Sequence, residues 1–150
     1  MADLAKLLDV ATVVDAASDS AVLGASVTAF MLGGLWYSPL LFGNMWFNLS
    51  FPGRKMEEVM ADGHPILPYA VAMLTSILSA AALKVILPAS VQADPVEAAK
   101  AGAILGTYFA FFSLSVTYLF ASRPKGLIFI DGLYHVVRLA ILAAVLAVLA

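Results

Sequence analysis

Four apolar runs of bilayer length constrain this chain more than any other feature. A helix needs about 20 mostly apolar residues to cross a hydrocarbon core. The stretches at about 20–40, 66–87, 98–120 and 127–149 each reach that length. They are separated by "FPGRKMEEVMADGHPILP", "PASVQADP" and "ASRPKG". Proline removes a backbone donor and glycine loosens the chain, so each break ends a helix. Loops this short place neighbouring spans antiparallel. The expected fold is all-α: a four-helix transmembrane bundle forming one integral membrane domain over residues 1–150, with the lipid bilayer as its first partner.

Composition agrees. Hydrophobic residues make up 63% of the chain and charged residues 12%, against about 45–50% and about 25% in soluble domains. Mean hydropathy is +0.98. Cysteine is absent, which excludes a disulfide framework, a thiolate nucleophile and a cysteine metal site. The formal charge of -2 comes with no cluster of Lys and Arg, so no nucleic-acid partner is expected. The two histidines, His64 and His135, make no metal signature. No nucleophile elbow, phosphate loop or cofactor-binding pattern occurs. The chain reads as a non-enzyme without a cofactor.

The first segment, "MADLAKLLDVATVVDAASDS", is too short and too charged to span. It lacks the basic start and cleavage site of a signal peptide. Leu4, Leu7, Leu8, Ala11 and Val14 share one helical face, with Asp3, Lys6, Asp9 and Asp15 elsewhere. An amphipathic helix lying on the bundle or the membrane surface is expected. In the first loop, "RKMEEVMAD" predicts a short surface helix with Met56, Val59 and Met60 inward and Gly63 at its end. Arg54, Lys55, Arg123 and Lys125 lie in the first and third loops, against Lys6, Lys84 and Lys100 on the other side. That bias places the first and third loops in the cytoplasm.

Between spans, leucine burial contributes little, because lipid tails are equally apolar; close backbone approach and hydrogen bonds hold helices together instead. Ala21, Ala25, Ala29 and Gly33 recur every four residues in the first span, and Ala98, Gly102, Gly106 and Ala110 in the third. Ser76 with Ala80, and Ala140 with Ala144, are shorter copies. Ser76, Ser79, Thr107, Ser113 and Thr117 can add interhelical hydrogen bonds.

The last span carries Asp131, His135 and Arg138, at spacings of four and three. At 100° per residue the three fall within about 60° of one another. Charge facing lipid is costly, so this stripe should face the bundle interior. Asp131 can accept from His135, and Arg138 can reach Tyr108 or backbone carbonyls. Three readings follow: a proton or ion path, a polar binding pocket anchored by Arg138, or a buried network that fixes helix register.

"GGLWYSPLLFGNMWF", residues 33–47, ends the first span. Trp36, Tyr37 and Trp46 suit the headgroup level, and Pro39 and Gly43 suit a turn. The alternative is a docking surface for another helix or subunit. This stretch resembles the signature of the domain of unknown function 1761 family, small bacterial integral membrane proteins with four expected spans. The residues carrying the resemblance are Gly33, Trp36, Tyr37, Ser38, Pro39, Phe42, Gly43 and Trp46. "LFASRPKGLIFIDGLYHVV" is also similar, through its short basic turn and the pair Tyr134 and His135. The chain departs from the family pattern at Asp131, where Asn is usual, and at Arg138. The resemblance implies fold and a location in the bacterial inner membrane, and brings no activity. Two functions are expected: a structural or complex-forming membrane subunit, including a homo-oligomer, or a small transporter or ion channel built on the stripe.

Overall fold

The computed structural model describes residues 9–149. It is all-helical, with no strand among the described residues. The order is α1 (Val10–Ala17), α2 (Ser20–Trp36), α3 (Gly43–Ser50), α4 (Met56–Asp62), α5 (Leu67–Ile86), α6 (Ala89–Gln92), α7 (Pro95–Phe120) and α8 (Lys125–Leu149). α5, α7 and α8 are each long and apolar enough to cross a membrane. α2 has 17 residues and measures about 25 Å at 1.5 Å per residue. It becomes a fourth candidate if joined to α1, from which it is bent by 74°.

Local chemistry sets the ends. Asp9, Asp19 and Asp94 each accept a backbone N–H at the start of α1, α2 and α7, satisfying donors that a helix leaves open. At α5 the cap is His64, whose Nδ1 accepts from the backbone of Ile66 and Leu67 at 3.2 and 3.0 Å. His64 is itself exposed. α2 stops at Trp36, four residues before the expected end of the span, because the chain turns there.

Leu4, Leu7, Leu8, Asp3 and Lys6 lie outside the described residues. Within them, α1 packs on α5 through Val13, Ala16 and Ala17, and leaves Ala11 and Val14 exposed. The packed face is therefore not the expected one. Small Ala16 and Ala17 pack against a core that includes small Ala80 and Ala81, and close backbone approach outweighs the larger Val14. α4 forms, but Met56 and Met60 are 46% and 70% exposed. Of the expected inner face only Val59 is half-buried.

The bundle has two halves. In one, Ala21, Ala25 and Ala29 of α2, Ala80 and Leu83 of α5, Ala98 of α7, and Leu142 and Leu146 of α8 close into a core. α8 lies at the centre and touches α2, α5 and α7. A Cβ on Gly102 would strike the Leu139 carbonyl, and one on Gly106 would lie 2.6 Å from the Val136 Cα. Glycine is what lets α7 and α8 touch there. Ala140 of the expected small stripe lies against Gly102, where an added Cβ would come 2.9 Å from its Cα; Ala144 is only half-buried, and Ala143 is buried beside it. Lys84 pairs with Asp19 at 2.5 Å and joins the end of α5 to the start of α2.

The other half is open. Residues 67–75 of α5 stand away from the bundle, all but Met73 exposed. The space between them and the other helices is a cavity of about 800 Å³.

Candidate functional site

The cavity gathers residues from the same end of every long helix. α2 contributes Phe30, Gly33 and Gly34; α5 contributes Pro68, Tyr69, Ala72 and Ser76; α7 contributes Leu114 and Tyr118. Leu127, Asp131, Tyr134 and His135 come from α8. Tyr37, Trp46, Ser50, Phe51 and Arg123 complete it at the level of the loops.

Asp131 is the centre of this site. It is 6% exposed. Its two carboxylate oxygens accept from the Tyr37 hydroxyl at 2.8 Å and the Tyr118 hydroxyl at 2.9 Å. The expected bond from His135 is absent: hydroxyls from two other elements reach both oxygens first. His135 stays on the same face, lines the cavity and lies against the Tyr134 ring at 5.2 Å. Arg138 is 8% exposed. Its Nη2 donates to Ser76 Oγ at 3.2 Å and approaches Ser79 Oγ at 3.5 Å, both on α5. Tyr108 is not its partner. That ring is 64% exposed and packs on Phe112, because two residues from Gly106 carry it to the far side of α7. The stripe thus binds α8 to three elements: Asp131 to the α2 exit and to α7, Arg138 to α5.

Tyr118 reaches Asp131 because α7 is not regular. Gly106–Phe111 forms a π turn, which fits one extra residue into the helix. The face against α8 runs Ala98, Gly102, Gly106 and then Phe111, whose ring covers Gly132. The expected fourth member, Ala110, is displaced by one position. Without that extra residue Thr117 would take the place of Tyr118. Thr117 instead is exposed and donates to Ser113 O in its own helix. Ser76, Ser79 and Thr107 likewise donate to carbonyls of their own helices; the interhelical bonds expected of these hydroxyls reduce to Ser76 and Ser79 accepting from Arg138.

The motif at the α2 exit is a turn clasped onto α8. Trp36 Nε1 donates to the Ile130 carbonyl at 3.1 Å. Tyr37 reaches Asp131 and sets its ring edge-on to Tyr134 and Trp46, at 5.1 and 5.5 Å. Ser38 Oγ donates to Leu35 O and accepts from Leu40 N, closing the bend that Pro39 opens. Phe42 folds back on Trp36 at 4.8 Å. Gly43 N donates to Ser38 O at 2.9 Å, and a Cβ at Gly43 would strike the Tyr37 carbonyl. Gly33 makes room for the Tyr134 hydroxyl. Trp36 and Tyr37 are half-buried, so the motif docks the end of α2 onto α8.

Sequence pattern marks Tyr37 only as an interfacial aromatic, and marks neither Tyr118 nor the π turn as part of a site. One signal points to Tyr118: the short "ASRPKG" turn brings the end of α7 beside the start of α8, with Tyr118 three residues before it and Asp131 five after it.

No curated protein and no solved structure matches this chain. The family model described as "Protein of unknown function (DUF1761)" matches residues 20–147, from the first residue of α2 almost to the end of α8, with the clasp and the Asp131 stripe inside. The chain belongs to the DUF1761 family, whose function is unknown.

Proposed function

We propose a multi-pass protein of the bacterial cytoplasmic membrane, crossing four times, with the loops at Arg54 and Arg123 in the cytoplasm. Its role in this reading is non-enzymatic: an accessory or complex-forming subunit, as a homo-oligomer or within a larger assembly. α2, too short alone for a hydrocarbon core of about 30 Å, completes its crossing with the aromatic clasp. One observation carries the reading. The charged groups of α8 are engaged in tying helices together, and the core beyond Arg138 is closed by Ala25, Ala80, Leu142 and Leu146. A cavity closed at one end suits holding better than conducting.

Purification in mild detergent tests this. A reproducible partner or a closed oligomer, with ion-tight liposomes after reconstitution, supports it. Ion or proton flux that Asp131→Asn abolishes contradicts it. The second reading, a small transporter or channel using Asp131, His135 and Arg138, is favoured by the cavity reaching Asp131 and His135. Unchanged flux in folded Asp131→Asn and Arg138→Leu variants would sink it.

A further inference from the structure

The cavity has a wall chemistry that selects for charge. Tyr37, Trp46, Phe51, Tyr69, Tyr118 and Tyr134 line it. Among the described residues, Asp131 is the only carboxylate on its surface. Among them too, no Lys, Arg or His pairs with Asp131, and its side-chain partners are two neutral hydroxyls. A carboxylate has about four acceptor positions, and two remain. Aromatic faces attract cations through the ring quadrupole, and quaternary ammonium groups are recognised by such cages. Two cations stand nearby without cancelling this. Arg123 lines the cavity at the level of the loops and is exposed there, where water and salt screen it. Arg138 is directed onto Ser76 and Ser79 of α5 and is not part of the cavity wall.

We infer that this cavity binds a hydrophobic organic cation, an ammonium or phosphonium with apolar substituents, seated among the aromatic rings with its charge toward Asp131. The inference rests on the reading above, of a membrane protein that holds rather than transforms. It adds the class of molecule held.

Tetraphenylphosphonium and tetraphenylborate have matched shapes and opposite charges, so the pair isolates charge from hydrophobicity. Equilibrium binding of each to the protein in nanodiscs, with empty nanodiscs subtracted, is the test. Saturable binding of the phosphonium at least tenfold tighter than the borate is expected. Asp131→Asn should weaken the phosphonium by roughly tenfold or more, as close charge pairs do when one partner is neutralised. Tyr69→Leu removes one wall ring on the exposed part of α5 and leaves the partners of Asp131 in place. It should weaken the phosphonium by roughly two- to fivefold, the size of an exposed cation–π contact, and should not create a preference for the borate. Equal or preferential borate binding overturns the inference, as does phosphonium affinity unchanged in folded Tyr69→Leu or Asp131→Asn protein. Selective binding by a protein that also conducts ions would leave the cation site standing and overturn the accessory role. Loss of selectivity in an ion-tight protein would do the reverse.

Discussion

Tyr37 and Asp131 are joined by a 2.8 Å hydrogen bond across 94 residues of chain. The bond fastens the turn that ends α2 to the first half of α8, and Tyr118 holds the other carboxylate oxygen from α7. One carboxylate thereby fixes three elements. Tyr37→Phe should cost about 1–2 kcal/mol, the order expected for a partly buried hydrogen bond to a carboxylate. A double-mutant cycle with Asp131→Asn, read by thermal unfolding in detergent, should recover a coupling of that size. Additive effects would separate the two residues.

The contact of α7 with α8 depends on missing side chains. Gly102→Ala places a Cβ against the Leu139 carbonyl and should destabilise by about 1–3 kcal/mol, as overpacking does. At Gly34 nothing lies within 4 Å of the place a Cβ would take. Gly34→Ala should therefore be neutral or gain up to about 1 kcal/mol from helix propensity. Melting temperatures of the two variants, measured side by side, check the contrast.

The π turn sets which residue of α7 meets Asp131. Deleting Phe109, 74% exposed within the turn, removes the extra residue and leaves both flanking helices in phase. Tyr118 should still meet Asp131, and stability should change little. Deleting Val116, equally outside the core at 55% exposed but beyond the turn, rotates Tyr118 by about 100°. That variant should lose the hydrogen bond and its coupling to Asp131. Equal tolerance of both deletions would contradict the phase argument.

Asp19 gives a pH signature outside the apolar helices. The Lys84 ammonium bonded to it, followed by the Ala21 backbone N–H, holds its carboxyl below the ordinary value. The folded chain then binds this proton less readily than the unfolded chain, so stability rises with pH across the window. The contribution is complete above the unfolded value of about 3.9 and is lost as pH falls through the lowered folded value. Melting of the protein and of Asp19→Asn, followed from about pH 6 to about pH 3, should show a difference that shrinks toward the acid end. A difference constant with pH would exclude the pairing.

The sequence announces the long helices because hydrophobic length and Pro–Gly breaks are local properties. The inward stripe on α8 is legible for the same reason: helical periodicity places Asp131, His135 and Arg138 on one face. Their partners are not legible from periodicity. Asp131 takes a hydroxyl from a turn 94 residues away and another from a helix whose phase is shifted by a single added residue. Neither leaves a periodic trace. The clasp is half-legible: its glycines, proline and aromatics signal a turn at an interface, while its docking onto Ile130 and Asp131 needs the tertiary fold. The gap between residues 67–75 and the bundle has no signal at all, since apolar residues facing a cavity, lipid or a neighbour look alike.

The cavity extends to the loops at Ser50, Phe51 and Arg123, and the buried small-residue core lies beyond Arg138; we read it as open at the loop end only. Because the chain has no cysteine, single introduced cysteines report on this without background. Tyr134→Cys and His135→Cys line the cavity; Ala80→Cys and Ala143→Cys sit in the core at 0% and 1% exposure. The decisive measurement is their labelling by a membrane-impermeant thiol reagent applied to each side of sealed vesicles in turn. The two cavity positions should react only from the side that carries the Arg54 and Arg123 loops, and the two core positions from neither. Reaction of Ala143→Cys, or of Tyr134→Cys from both sides, would mean a continuous aqueous path and contradict a cavity closed at one end.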